Sequence, residues 1–329
     1  MGIKYIQIET TTFCSHRCTF CPVSTAGRPP ETMAAETLDR ILEGVRSLRP
    51  ERIYVNGFNE PTRDPHLIER VRRIRAAGEH EIFLNTNGSG LSPELVDGLI
   101  EGGIDSVLVN LSTIDDAEFR RTRGAHDLAR ILENLDNLLE KARAAGVGVE
   151  ILVLGNLDDA HHDAVSAIEK RFEAHSPKLV ICPIKEYAGD PRHRSQLQHR
   201  SLRGCAQQDR SGQWLHFTAD GKAIYCCHDY RSEHVIGDAR TQSLESIVAG
   251  ERLARFRRWT SGVEVAPDDF LCRRCPMAVT DEDFVGYLKR TCCDGCTLRA
   301  RFGRERSCGR CVVQQAIDDN PQASFPLRG

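Results

Sequence analysis

Three cysteines, Cys14, Cys18 and Cys21, stand in a CxxxCxxC run directly after a short strand-like segment, Ile3 to Thr10. No other feature constrains the chain more. Three thiolates this close can occupy three corners of a cubane [4Fe–4S] cluster. A closed thiolate site would recruit a fourth ligand, yet the next cysteine is Cys182, far along the chain. The simplest inference is a cluster with one iron left open to a ligand that is not protein. A zinc knuckle or three ordinary thiols is the plainer alternative.

The 329 residues can hold a large domain plus one or two small ones. Lys and Arg number 44 against 47 Asp and Glu, with no long run of either sign, so neither nucleic acid nor an anionic membrane surface is expected as a partner. No apolar stretch approaches the length of a membrane span, and Met-Gly-Ile-Lys-Tyr lacks a signal-peptide core. The 14 cysteines cluster at CxxC and CxxxC spacings, which reads as metal ligation in a reducing cytoplasm and not as a disulfide scaffold.

Strand and helix alternate through the first 190 residues. Strands are predicted at Lys4–Thr10, Arg52–Val55, Glu81–Leu84, Ser106–Leu111, Val147–Leu154 and Lys178–Pro183. Helices are predicted at Thr37–Leu48, His66–Ala77 and Asp127–Ala145, the last with Leu128, Ile131, Leu132, Leu135, Leu138 and Leu139 on one stripe. Such alternation makes a parallel sheet with right-handed crossovers. Six units instead of eight predict a partial (β/α)6 TIM-type barrel, with chemistry at the carboxyl ends of its strands.

The cysteine run and the loops that follow the next strands resemble the radical S-adenosylmethionine (SAM) superfamily over residues 3–190. In that family SAM chelates the open iron and is cleaved to a 5′-deoxyadenosyl radical. Asn56-Gly57-Phe58-Asn59-Glu60-Pro61 resembles the GGEP-type motif that holds the SAM amino group, although asparagines stand where glycines are usual. The resemblance further implies cofactor contacts from Phe20 at the adenine, Asn87 in Asn85-Thr86-Asn87-Gly88, Ser112 at the ribose, and Arg121 or Arg123 at the SAM carboxylate.

A polar linker, 191–203, separates this region from a second cysteine framework at 204–285. Trp214–Thr218 and Ala223–Tyr225 alternate like a hairpin turned at Asp220-Gly221, and a helix is predicted over Leu244–Trp259. The Cx15Gx4C…CxxC layout resembles the SPASM and shorter twitch extensions of the same family. The resemblance implies an auxiliary [4Fe–4S] cluster on Cys205, Cys226, Cys272 and Cys275, with Cys227 left as a packed thiol. A zinc ribbon is the alternative. The tail, 286–329, carries Cys292, Cys293, Cys296, Cys308 and Cys311, which read either as a zinc knuckle or as ligands of a further cluster.

The expected activity is radical SAM oxidation or epimerisation, with a flavodoxin or ferredoxin as electron donor. Cys182 is the candidate hydrogen-atom donor, and Lys185 and Glu186 the candidate base and hydrogen-bond partner for oxidation. Because the barrel pattern starts at residue 3, no preceding peptide-recognition domain is expected. The layout resembles carbohydrate- and aminoglycoside-tailoring members of the family, which implies a sugar, aminocyclitol or nucleoside substrate from antibiotic-type biosynthesis. The rivals are a peptide maturase and a non-enzymatic iron–sulfur electron carrier.

Overall fold

A computed structural model describes residues 2–184, 201–205, 207 and 210–280. Lys185, Glu186 and all five tail cysteines lie outside the described residues. The first six strands are β1 (Tyr5–Ile8), β2 (Arg52–Val55), β3 (Glu81–Thr86), β4 (Ser106–Asn110), β5 (Gly148–Gly155) and β6 (Lys178–Pro183). They pair in parallel in chain order. Between them run α1 (Ala35–Leu48), α2 (Leu67–Ala76), α3 (Pro93–Glu101), α4 (Asp116–Arg123), α5 (Leu128–Ala145) and α6 (Asp159–Arg171). This is the open, partial barrel that the sequence predicts.

Strand alternation divides the residues between two faces. Ile6, Ile8, Ile53, Val55, Ile82, Leu84, Val107, Val109, Ile151 and Val153 are buried in one continuous core that also takes the apolar stripes of the helices. On α5 the buried residues are Leu128, Ile131, Leu135, Leu138, Leu139 and Ala142, while Leu132 is only half-buried. The opposite, concave face carries Tyr5, Gln7, Tyr54, Phe83, Asn85, Asn110 and Cys182 at alternate positions.

The second half joins the same sheet. After β7 (Gly204–Cys205) and the short α7 (Arg210–Gln213) come β8 (Trp214–Phe217), β9 (Lys222–Ile224) and β10 (Val235–Asp238). The resulting sheet has 9 strands in the order β10-β9-β8-β1-β2-β3-β4-β5-β6. The predicted hairpin is present, β8 pairing antiparallel with β9, but it does not stand apart: β8 also pairs in parallel with β1, His216 opposite Gln7. An uncovered β1 would offer an open edge. The Trp214 ring lies 4.8 Å from Tyr5 and 4.9 Å from Tyr54, closing the amino-terminal end of the concave face with aromatic contacts.

The helix expected over Leu244–Trp259 is two helices, α8 (Leu244–Val248) and α9 (Glu251–Thr260). Gly250 breaks the run, with an extended ψ of 139° at the cap of α9. The helix α8 packs on α1 where Gly44 leaves room, since a Cβ there would stand 2.4 Å from the Leu244 Cβ. The strand β11 (Ala278–Val279) closes the framework by pairing antiparallel with β7. Among the described residues, no helix is long and apolar enough to cross a membrane.

The hairpin and the barrel meet at Glu9. Its buried carboxylate accepts from Arg28 Nη1 at 2.7 Å and Nη2 at 2.5 Å, from Phe58 N at 2.8 Å and from Ala219 N at 3.2 Å. Breaking a buried pair strands the partner charge and costs about 3–5 kcal/mol. An exposed pair such as Arg52–Glu81 contributes about 1 kcal/mol or less. In urea denaturation, Glu9→Ala is therefore expected to lower stability several times more than Glu81→Ala. Equal losses would refute the assignment of Glu9 as the joint.

Candidate active site and cluster-binding loops

The cysteine loop leaves β1 and is fastened on several sides. Arg17 N bonds Arg123 O, Thr19 N bonds Thr122 O, and Glu60 N bonds Phe13 O, at 2.9, 2.9 and 2.8 Å. Ser15 Oγ meets Ser89 Oγ at 2.9 Å and accepts from Asn87 Nδ2 at 3.2 Å. His16, buried between two of the cysteines, reaches Asp127 Oδ1 through Nε2 at 3.2 Å and sits edge-on to Phe119. Burial pushes the Cys14 thiol up to about 12, with Glu60, Cys18 and Cys21 adding to the rise. Deprotonation there needs a compensating positive charge, which a bound metal cluster supplies.

Around this loop stand residues the sequence singles out. Glu60 is buried and accepts from Thr62 N, Thr62 Oγ1, Thr86 Oγ1 and Asn87 N at 3.0, 2.7, 2.6 and 2.6 Å. Burial raises its carboxyl above the usual range, and those four bonds oppose the rise. Glu60 is thus a bracket between the ends of β2 and β3. Beside it, both polar side-chain atoms of Asn59, and Asn56 Oδ1, are buried with no protein partner. Each such group costs about 1–3 kcal/mol, so these orphans suit a polar ligand and fit the amino-acid end of SAM.

Arg123 is 2 % exposed and gathers two further expected cofactor contacts, Ser112 and Phe20, beside Cys18. Its Nη2 donates to Asn110 Oδ1 at 2.7 Å and to Ser112 Oγ at 2.6 Å; Nη1 lies 3.7 Å from Cys18 Sγ; the guanidinium covers the Phe20 ring at 4.9 Å. Arg121 takes no part: its side chain is 71 % exposed and bound to Glu118. The two arginines lie two residues apart on α4 and so point to different sides, whereas Arg123 shares the face of buried Phe119. Asn87 uses its backbone on Glu60 and its side chain on Ser15 and on Ser89 N. Cys182 is buried, in register with Leu154.

The auxiliary cysteines also converge. Cys205 lies in β7 opposite Ala278, Cys226 follows β9, Cys272 lies within a tight turn, Leu271–Arg274, and Cys275 directly follows it. Burial, with Cys205 alongside, pushes Cys272 up to about 12, and burial with Cys272 and Cys205 raises Cys275. Cys227 is more than a packed thiol. A hydrogen bond from Cys226, with Arg210, His228 and His216 nearby, holds it well below the usual thiol range. Arg210 Nη1 donates to its Sγ at 2.5 Å.

Among the described residues, the group of three or more metal-binding atoms drawn within 4.8 Å of one another is Asp229, Glu233 and His234, not a cysteine set. One tetrahedral zinc would hold its thiolates about 4 Å apart.

A cysteine loop beside a polar cradle, with a second thiol set docked on the same sheet, defines an iron–sulfur enzyme of the SAM-dependent radical class. Residues 8–168 match the Radical SAM superfamily, and residues 205–276 match the SPASM iron-sulfur cluster-binding domain. The chain belongs to the radical SAM superfamily and carries a SPASM domain; its cofactors are SAM, a [4Fe–4S] cluster and auxiliary iron–sulfur.

Among curated proteins it is similar to the GTP 3′,8-cyclases of Rhizobium leguminosarum bv. trifolii (strain WSM2304), 28 % identical over 166 residues, and Rhizobium meliloti (strain 1021), 32 % over 172 residues. In both comparisons the aligned part is 48 % of this chain and 46 % of the relative, so the chain spans about half the length of the curated relatives it matches. The fold is shared with BtrN in complex with AdoMet and 2-DOIA, at TM-score 0.56 and 17 % identity over 84 % of this chain and 94 % of that one. It is also shared with Streptococcus suis SuiB bound to precursor peptide SuiA, at TM-score 0.64 and 13 % identity over 83 % and 70 %. For anSMEcpe with bound AdoMet the values are 0.61 and 14 %, over 98 % of both chains.

Anaerobic reconstitution followed by iron analysis tests both thiol sets. The native chain is expected to hold about eight irons, falling to about four in a Cys14→Ala/Cys18→Ala/Cys21→Ala variant. Twelve irons, falling to eight, would add a tail cluster. Cys226→Ala is expected to lose the auxiliary iron and Cys227→Ala to keep it; the reverse result would exchange their roles.

Proposed function

We propose that this enzyme removes a hydrogen atom from a C–H bond of a sugar, aminocyclitol or nucleoside-type molecule in natural-product biosynthesis, leading to oxidation or epimerisation. The observation that carries this reading is the β8–β1 pairing, which brings the auxiliary framework against a concave barrel face that carries, among aromatic residues, the neutral polar groups Gln7, Asn85, Asn110 and His216. Uncharged amide and imidazole groups suit hydroxyl-rich molecules. The likeness to BtrN bears on fold and is compatible with the reading.

The chain's residues take distinct parts. Asn56, Asn59 and the Glu60 bracket would hold the amino-acid end of SAM, and Phe20, Ser112 and Arg123 its other polar and aromatic edges. Bound there, SAM and its cluster supply a radical that abstracts hydrogen, and the auxiliary cluster supplies a one-electron acceptor. The His16–Asp127 bond fixes the loop between the cluster cysteines. Cys182, on the concave face, carries an S–H able to return a hydrogen atom if the outcome is epimerisation. Lys185 and Glu186 remain the proposed base and hydrogen-bond partner if it is oxidation.

The test is 5′-deoxyadenosine formation by the reduced, reconstituted enzyme with a panel of cyclitols and aminocyclitols (2-DOIA included), nucleosides with GTP, and short peptides. Stimulation by the hydroxylated small molecules is expected. Stimulation by peptides alone would install the maturase reading, and no SAM cleavage at all would leave an electron carrier. With an active small molecule in D2O, Cys182→Ala is expected to stop solvent deuterium entering the product if Cys182 is the donor, while 5′-deoxyadenosine still forms.

A further inference from the structure

A second buried orphan lies apart from the SAM cradle, at His216. Its ring is 2 % exposed and stacks on Trp214 at an interplanar angle of 11°. Nδ1 meets Gln7 Oε1 at 2.6 Å. A carbonyl oxygen accepts only, so Nδ1 carries the proton and Nε2 presents a bare lone pair. That Nε2 is buried with no protein partner. Burial, with Arg210 and His228 nearby, lowers the ring to about 4 and keeps it neutral at physiological pH. A fixed, neutral, buried acceptor is therefore built into the wall where β8 meets β1. Gln7 stands level with Tyr54 as well as His216, so the acceptor belongs to the concave layer just inside the cysteine loop.

We propose that His216 Nε2 is the acceptor that recognises a substrate hydroxyl on the concave face, with Gln7 as the residue that fixes its tautomer. The assignment rests on the small-molecule reading above and names the group that selects within it. Two features support a substrate contact over a purely structural role. Gln7 already satisfies the ring's one donor, so packing the hairpin on the barrel does not need Nε2. The ring also neighbours Arg210 and Cys227, which places it between the barrel wall and the auxiliary cysteines. A site built to pair a hydroxyl discriminates strongly against an analogue lacking it, because the acceptor is then left unpaired.

The experiment is equilibrium dialysis of unreduced, SAM-loaded holoenzyme with scyllo-inositol, myo-inositol, 2-DOIA and guanosine, then with single-deoxy analogues of the tightest-binding probe. Native enzyme should lose at least about tenfold in affinity when the recognised hydroxyl is removed, and His216→Phe should bind both forms equally weakly, a non-additive pair. Gln7→Leu, which keeps the imidazole but frees its tautomer, should blunt the same discrimination; a merely structural role would alter stability and leave discrimination intact. Iron content and SAM affinity report folding of each variant, and His216→Asn replaces the phenylalanine variant if that one fails them. Undiminished hydroxyl discrimination in the His216 variant overturns the assignment alone. Failure of every probe to bind native enzyme overturns it together with the small-molecule reading.

Discussion

The arrangement hangs on one buried carboxylate. Glu9, immediately after β1, takes hydrogen bonds from Arg28, Phe58 N and Ala219 N. Those donors come from the segment beyond the cysteine run, from the loop after β2, and from the turn of the auxiliary hairpin. A charge removed from water survives only when its lone pairs are filled, so these segments are held to one geometry together. Gly57 permits the approach: a Cβ there would stand 2.6 Å from the Glu9 Cβ. In the Asn-Gly-Phe-Asn-Glu-Pro motif, that glycine serves the fold as much as any ligand.

The same device recurs along the carboxyl ends of the strands. Parallel strands end in loops whose backbone N–H groups lack ladder partners. Glu60 fills this need between β2 and β3, accepting from Thr62 N and Asn87 N. Asp229 does so beside the auxiliary cysteines, accepting from Glu233 N and His234 N at 3.0 and 2.7 Å. His234 in turn accepts from Leu271 N through Nε2, which leaves the proton on Nδ1 facing Asp229. That tautomer suits a hydrogen-bonded strut joining the Cys226 and Cys272 loops better than a metal ligand. The effect is that protein contacts, and not cluster ligation alone, hold the cysteine loops in place.

Local periodicity made most of the barrel legible. The strand at Lys178–Pro183 and the stripe on α5 follow from β-branched runs and from 3.6-residue spacing, both properties of neighbouring residues. The cysteine sets were legible because ligand spacing is also local. Contacts between distant segments were not. Glu9 and Arg28 are 19 residues apart and His216 and Gln7 are 209 apart, with nothing nearby to mark either pair. The choice between Arg121 and Arg123 was within reach: Phe119 and Arg123 are four apart on an amphipathic helix, so the buried arginine is the one sharing the phenylalanine's face. The break at Gly250 was missed by a reading that ran one helix over Leu244–Trp259, although a glycine, about 1 kcal/mol worse than alanine inside a helix, marks it.

The parallel union of β8 with β1 has a consequence for how the two cofactor regions are set apart. A domain on a linker would sample many positions, and its distance from the barrel would depend on linker composition. Here the spacing is fixed by a ladder of residues, Tyr5 to Trp214 through Ile8 to Phe217. Strands in a ladder sit about 4.8 Å apart, and a register slip of one residue would turn His216 and Trp214 toward the core and Phe217 out of it. The aromatic stack of Tyr5, Tyr54 and Trp214 opposes that slip, because it forms in one register only. Spacing between the SAM cradle and the auxiliary cysteines is therefore a property of the sheet.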